Sequence, residues 1–348
     1  MNKLRLGTLS ILLVSGLSGY ELSETQSING FVKIHSETQT HDKDTGYTMG
    51  SVGVGYSQTI DNNLKFNISG LGNIKISEQN DAYDDDANKL GLRELNIAYK
   101  IDNNEFIVGR QELDLEWIGD YHNAILSKID FDNISLQAGI SIGNIVLNDD
   151  SALEKYNEIK DKDNKDSFLY FFDTSYTNNI LTLNPYLFGV ADLFVGYGLK
   201  AETTIDQVDL IGHYAQSNEE SQENGSIFNF EVGYKSDLNI NIGYIQTSTN
   251  GIGSLSEYGD NISPLEEGNQ VYEADSKTVY IGLSKEIDRF TFNGMYGNST
   301  TNLLTEQEVD FSSGYTVNDN LELEVIYSYT NNDTEITNNF KANLTYSF

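Results

Sequence analysis

The densest group of chemistry-bearing residues lies in FIVGRQELDLEWIGDYHNAI, residues 106–125. Gly109-Arg110-Gln111-Glu112 ends an alternating apolar stretch, and Asp114, Glu116, Trp117 and Asp120 follow directly. Glu112, Asp114, Glu116 and Asp120 make an acidic set. Arg110, with Arg93 and Lys128 from neighbouring stretches, makes a basic one. Opposed acids and bases across a narrow aqueous path create a transverse field that orients polar solutes. Charged groups at a narrow point also offset the hydration an ion loses there. A wall ion pair between Arg110 and Glu112 is the plainer alternative. Trp117, the sole Trp, could stack a solute, but packing within a loop or sitting at an interface is the commoner role. Hydrolytic chemistry would need a nucleophile or a water activated by His. Of His35, His41, His122 and His213, only His41 and His122 fall at loop ends, and no nucleophile motif accompanies them.

The elements that carry these residues read as strands. In NNFKANLTYSF, Phe340, Ala342, Leu344, Tyr346 and Phe348 share one face, and Asn339, Lys341, Asn343, Thr345 and Ser347 the other. That is the period of two that a strand requires. The same alternation and turn residues place strands near 28–36, 46–58, 63–76, 90–101, 105–112, 123–132, 134–142, 167–177 and 180–190. They continue near 193–202, 205–216, 226–236, 238–248, 276–287, 289–299, 305–316, 320–330 and 335–348. The total is about 18 strands, an even number suited to a bacterial single-chain barrel. Nearly every strand offers one apolar face and none two, so a water-filled interior behind a lipid-facing exterior fits better than a packed sandwich.

The connections alternate in length. Tight turns are expected at 60–63, 102–104, 133, 178–179, 203–205, 237, 288 and 317–319, most of them rich in Asn and Asp. Long loops are expected at 77–89, 113–122, 143–166, 217–225 and 249–275, always at the intervening positions. The fold expected is therefore all-β: a transmembrane antiparallel β-barrel with short periplasmic turns, long extracellular loops and both termini on the periplasmic side. The acidic stretches at 80–89 and 158–166 read as solvated loops.

Composition agrees. With 2 Pro, 30 Gly and 22 Tyr the chain suits long hydrogen-bonded strands with interfacial tyrosines. Zero Cys excludes disulfides, thiolate metal sites and Cys nucleophiles. The 21 basic and 53 acidic residues give a formal charge of −32, which repels nucleic acid and favours cations in an enclosed aqueous path. Residues 1–19, with Lys3, Arg5 and the short apolar run Leu9–Leu17, read as a secretory signal peptide, leaving 20–348 as the barrel. No apolar run beyond it is long enough to cross a bilayer as a helix, so a membrane location means a barrel.

The GRQ segment, in the third long-side connection, resembles that of the Opr-type outer-membrane porins of Campylobacter-like bacteria, relatives of the OprD-like porins and of the Campylobacter major outer-membrane protein. EEGNQVYEADSKTVYIGLSKEI, 266–287, is similar to a second segment of that family, and Tyr346 and Phe348 resemble the C-terminal signal read by the barrel-assembly machinery. The resemblance implies a barrel of 18 strands in the Gram-negative outer membrane, in contact with its lipid, often trimeric, with its third loop folded inward. It implies passive diffusion of ions and small hydrophilic solutes, and the acidic balance of the chain adds a preference for cations. It needs no cofactor. A calcium ion near the constriction is also implied, with Asp114, Glu116 and Asp120 as candidates. Two alternatives stay open: a barrel enzyme of phospholipase or protease type, and a structural or adhesive surface protein with a closed lumen.

Overall fold

Alternating apolar and polar side chains can satisfy every backbone donor and acceptor in lipid only if the sheet closes on itself. The chain does this. The computed structural model describes residues 20–348 except 24, 42, 85, 260, 261 and 333; the expected signal segment, 1–19, lies outside the described residues. Eighteen long strands form one closed antiparallel barrel. They are β1 (Gln26–Thr40), β2 (Thr45–Thr59), β3 (Leu64–Gln79), β4 (Leu90–Ile101), β5 (Asn104–Glu112), β6 (Tyr121–Phe131), β7 (Ile134–Ile145), β8 (Leu169–Thr177) and β9 (Leu181–Val190). The rest are β10 (Phe194–Ile205), β11 (Val208–Glu219), β12 (Gly225–Tyr234), β13 (Asn239–Thr247), β14 (Lys277–Ile287), β15 (Phe290–Thr300), β16 (Thr305–Asn318), β17 (Leu321–Asn332) and β18 (Ile336–Ser347). Each pairs with the next. β18 returns to β1 in a register running from Phe31↔Ser347 to Thr40↔Asn338. Two short strands, Tyr20–Ser23 and Asn157–Glu158, pair with β1 and β7 respectively.

All eighteen expected strands are present, with ends shifted by a few residues. One turn is misplaced. Thr203–Ile205 continues β10, and the reversal falls on Asp206 and Gln207. The cause is local: Asp206, like Asp102, Asp132 and Asp288, adopts a left-handed backbone with φ between 42° and 56°, which a tight hairpin of this hand requires and Asp tolerates better than most residues. Pro185 sits within β9, and the β8–β9 ladder is interrupted beside it between Asp173↔Tyr186 and Tyr176↔Leu183 without a change of register, as a residue lacking N–H allows.

One face of the sheet points outward and is apolar. Val32, Val52, Ile97, Val108, Ile125, Val232 and Ile242 are all more than a third exposed. The other face carries Lys33, His35 and Glu37 on β1 and Glu306, Glu308 and Asp310 on β16, among others. The expectation that no strand offers two apolar faces is overturned on one side of the barrel. Phe171 on β8, Tyr186 and Phe188 on β9, Ile227 on β12 and Tyr280 on β14 are buried on the lumen face, while Phe172, Leu187, Phe228 and Val279 occupy the outer one. The inner residues join one buried cluster with residues of two inward-folded connections: Leu113, Leu115, Trp117 and Ile118, and Leu255, Tyr258, Ile262, Leu265 and Val271. Burial of each such side chain contributes about 1.5–3 kcal/mol. That is ample to hold these loops inside the barrel.

Candidate functional site

Among the described residues, three connections enter the lumen. Loop 3, residues 113–120, is a small hairpin closed by Leu113 N–H to Asp120 C=O at 2.9 Å and Leu115 N–H to Ile118 C=O at 2.9 Å. Its Trp117 is 1% exposed. The indole Nε1–H donates to Tyr186 Oη at 2.8 Å, and that hydroxyl is hydrogen-bonded to His213 Nε2 at 2.7 Å. A buried polar chain thus fastens the loop to β9 and β11. Trp117 is a packing residue, in line with the commoner role expected of it. Loop 7, residues 248–276, backs loop 3 through Gly119 N–H to Tyr258 C=O at 2.8 Å. His122, just past the end of loop 3, is fully buried; its Nδ1 lies 2.9 Å from Ser141 Oγ and its Nε2 3.0 Å from Gly119 O. Both ring nitrogens are engaged in holding the loop.

The hairpin divides the acidic set. Glu116 pairs with Lys200 of β10 at 3.2 Å, and Lys200 also reaches Glu202 at 3.2 Å. Asp114, Glu116, Asp173, Lys200, Gln137 and Asn184 line a cavity of about 340 Å³ on that side. Burial raises the Glu116 carboxyl above its ordinary pKa, partly opposed by Lys200. Asp120 belongs elsewhere. Burial, then the negative charges of Glu154 and Glu112, push its carboxyl up as well. One pair of carboxylates therefore faces the β7–β10 wall, and the other faces loop 4, residues 146–168.

Two of the basic set, Arg93 and Arg110, hold loop 4. Simple alternation would put Arg93 beside Leu95 and Ile97, which face outward. An irregularity in the β3–β4 register, between Ser69↔Glu94 and Gly70↔Leu92, releases Arg93 from that rule. Its guanidinium lies 5.3 Å from the Phe31 ring and 5.7 Å from the Tyr121 ring and donates to Leu147 C=O at 3.2 Å. Phe106 and Val108 are the outward residues of β5, 45% and 54% exposed. Gly109 then takes φ 126°, where a Cβ would meet Leu95 O at 2.2 Å, and twists the strand end. Arg110 thereby covers the Tyr156 ring at 5.2 Å and donates to Asn123 Oδ1 at 2.8 Å. Lys128 shares the lumen face of β6 with Ala124 and Leu126, which are buried there.

Sequence reasoning missed a second anchor. Glu308 of β16 accepts the backbone N–H of Glu267 at 2.7 Å and of Gly268 at 3.0 Å, and Asp310 accepts that of Glu266 at 3.2 Å. Lys341 pairs with Glu266 at 2.7 Å. The available signal was EQEVD, 306–310, three acids on alternate positions of one strand face.

Asp114, Glu116 and Asp120 do not suit calcium. Glu116 is paired with Lys200, Asp120 is not among the residues lining the cavity that Asp114 and Glu116 share, and no metal-ligating group of three or more His, Cys, Asp or Glu occurs among the described residues. Within the acidic stretch 158–166 the side chains satisfy one another and the local backbone. Asp161 Oδ1 accepts the N–H of Asp163 and Lys165, both at 2.9 Å, and Lys160 and Lys165 pair with Asp166 and Asp163.

No protein-family profile matches the chain, and no curated protein does. Solved structures do. Acinetobacter baumannii OccAB4 superposes with a TM-score of 0.79 at 14% identity, covering 94% of this chain and 99% of that one. Pseudomonas aeruginosa OccK8 (OprE) gives 0.75 at 14% identity, over 93% and 98%. The outer membrane protein OpdK of Pseudomonas aeruginosa gives 0.76 at 11% identity, over 93% and 99%. At these identities the likeness carries the architecture: the chain has the 18-stranded barrel fold of the Occ and Opd outer-membrane proteins.

Proposed function

We propose that this protein is an outer-membrane porin of a Gram-negative bacterium, passing ions and small hydrophilic solutes by passive diffusion and favouring cations. Loop 3 narrows its lumen. The observation that carries this reading is the hairpin of loop 3, pinned inside the barrel by Trp117, Tyr186 and His213 with carboxylates on both its sides. Glu112, Asp114, Glu116 and Asp120 supply the negative potential of the constriction. Lys128 and Lys200 supply local counter-charge, and Arg93 and Arg110 act mainly by fixing loop 4. The formal charge of −32 supports the same preference. Enzymatic readings lose support because both nitrogens of His122 are engaged in packing. Residues 1–19 direct export, and the last strand engages the assembly machinery. Kinship with the Campylobacter-type porins, and the trimer that goes with it, rests on the two sequence segments. Reconstitution in planar bilayers tests the reading. Discrete conductance steps with a cation-selective reversal potential are expected. Absence of conductance would remove the porin reading, and anion selectivity would remove the acidic constriction.

A further inference from the structure

We propose that His35 and Glu37 form a binding site for a divalent first-row transition-metal cation on the lumen wall. Both residues lie on the inner face of β1, two positions apart, and His35 is 2% exposed. Its Nδ1 sits 2.7 Å from Asn343 Oδ1. The amide of Asn343 is oriented by its Nδ2, which donates to Glu324 Oε2 at 3.0 Å, so its oxygen faces the imidazole and Nδ1 carries the proton. In the neutral ring Nε2 is then a bare lone pair. It has no hydrogen-bond partner, and it faces Glu37 Oε2 at 3.6 Å. A metal bound at about 2.0–2.2 Å from each atom with a tetrahedral angle would separate them by about 3.4 Å.

A second orphan adjoins the same carboxylate. Asn339 is 3% exposed and its Nδ2 donates to Glu37 Oε1 at 2.7 Å and Glu267 Oε1 at 2.9 Å, while its Oδ1 has no partner. Two buried residues that share one carboxylate thus each carry an unsatisfied polar atom, and such atoms mark a place for an ion or water. The charges fit a cation, since Glu37, Glu266 and Glu267 outnumber Lys341 there. A histidine whose Nδ1–H is given to an amide oxygen is oriented as metal-ligating histidines are. An imidazole with one carboxylate suits zinc, nickel, copper or ferrous iron over calcium or magnesium. No third His, Cys, Asp or Glu joins them among the described residues. Water fills the other positions, and the site holds its ion exchangeably, as a conducting path requires.

The test is calorimetric titration of the untagged, detergent-folded chain with zinc chloride and nickel chloride, and with calcium chloride for comparison. One equivalent of zinc or nickel should bind at least tenfold more tightly than calcium. His35→Ala and Glu37→Gln should each weaken that binding at least tenfold, and His41→Ala should leave it unchanged. Equal binding by wild type and His35→Ala, or no preference over calcium, overturns the proposal and leaves an imidazolium–carboxylate ion pair as the content of the site. Should the variants fail to fold, X-ray absorption of zinc on the wild-type chain decides: an imidazole in its coordination shell is required, and its absence overturns the site. The readout is binding, so it stands or falls separately from conductance.

Discussion

Phe348 closes the barrel on Gly30. The two residues exchange both backbone hydrogen bonds at 2.8 Å, and a Cβ on Gly30 would lie 2.7 Å from the edge of the Phe348 ring. A bare backbone at position 30 is what allows the terminal ring to lie flat against β1. Removal of Phe348 deletes two ladder bonds at the seam, and Gly30→Leu fills the space its ring occupies. Both changes should reduce the folded, heat-modifiable species on cold electrophoresis while export across the inner membrane persists. Normal assembly of both variants would show that the seam does not depend on this contact.

The polar chain from Trp117 through Tyr186 to His213 should set the position of loop 3. Tyr186→Phe removes two hydrogen bonds from an otherwise unchanged apolar cluster, at about 1–3 kcal/mol in total. Trp117 is the only Trp, so its fluorescence reports on the loop directly. A red-shifted emission with faster acrylamide quenching, together with noisier single-channel current, is expected. Unchanged emission would mean that apolar packing alone holds the loop.

Loop 7 depends on Glu308. Replacing it with Ala leaves the N–H groups of Glu267 and Gly268 without their carboxylate, a loss of about 1.5–3 kcal/mol for each charge-assisted bond. Faster proteolysis within 248–276 and a larger, less uniform conductance should follow. Proteolysis at the wild-type rate would argue against this anchor.

Selectivity should respond to pH from a higher value than free carboxylates would give. Burial raises both Glu116 and Asp120 above their ordinary values of 4.5 and 3.8. Their folded forms therefore take up protons as pH falls, before an exposed carboxylate does, and lose them again as pH rises through the raised values. As pH falls the cation preference should therefore decline with a midpoint above the ordinary carboxylate values, and it should recover as pH rises through the raised values. Reversal potentials measured from pH 8 to about 3, across the carboxylate range, would show it. A decline confined to lower pH would place the selective charge on other, exposed carboxylates.

Lys200 offers a test of opposite sign. Lys200→Met removes the cation that offsets Glu116 and Glu202, so the ratio of potassium to chloride permeability should rise. The accompanying loss of pairing further raises the Glu116 carboxyl, so the gain should be largest at alkaline pH. A fall in the ratio at pH 8 would mean that Glu116 does not face the permeating ions.

The barrel itself was legible in the sequence because its determinants are local. A lipid-facing and a water-facing side chain must alternate along each strand, and Asn- or Asp-rich pairs must reverse it, so strand number, order and closure follow from a period of two and from turn chemistry. Even the misplaced turn at 203–205 was an error of a few residues within the right hairpin. The lumen was not legible in this way. Nothing in the spacing of Glu112, Asp114, Glu116 and Asp120 shows that the hairpin sends them to different walls. The course of Arg93 depends on a register irregularity against β3, and Trp117 finds Tyr186 across 69 residues of chain. Those contacts arise only when separated strands present apolar residues on their inner faces and the loops sink onto them. Local alternation determined that this chain is a barrel. Packing between distant segments decided what fills it, because burial energy depends on neighbours that the sequence order does not contain.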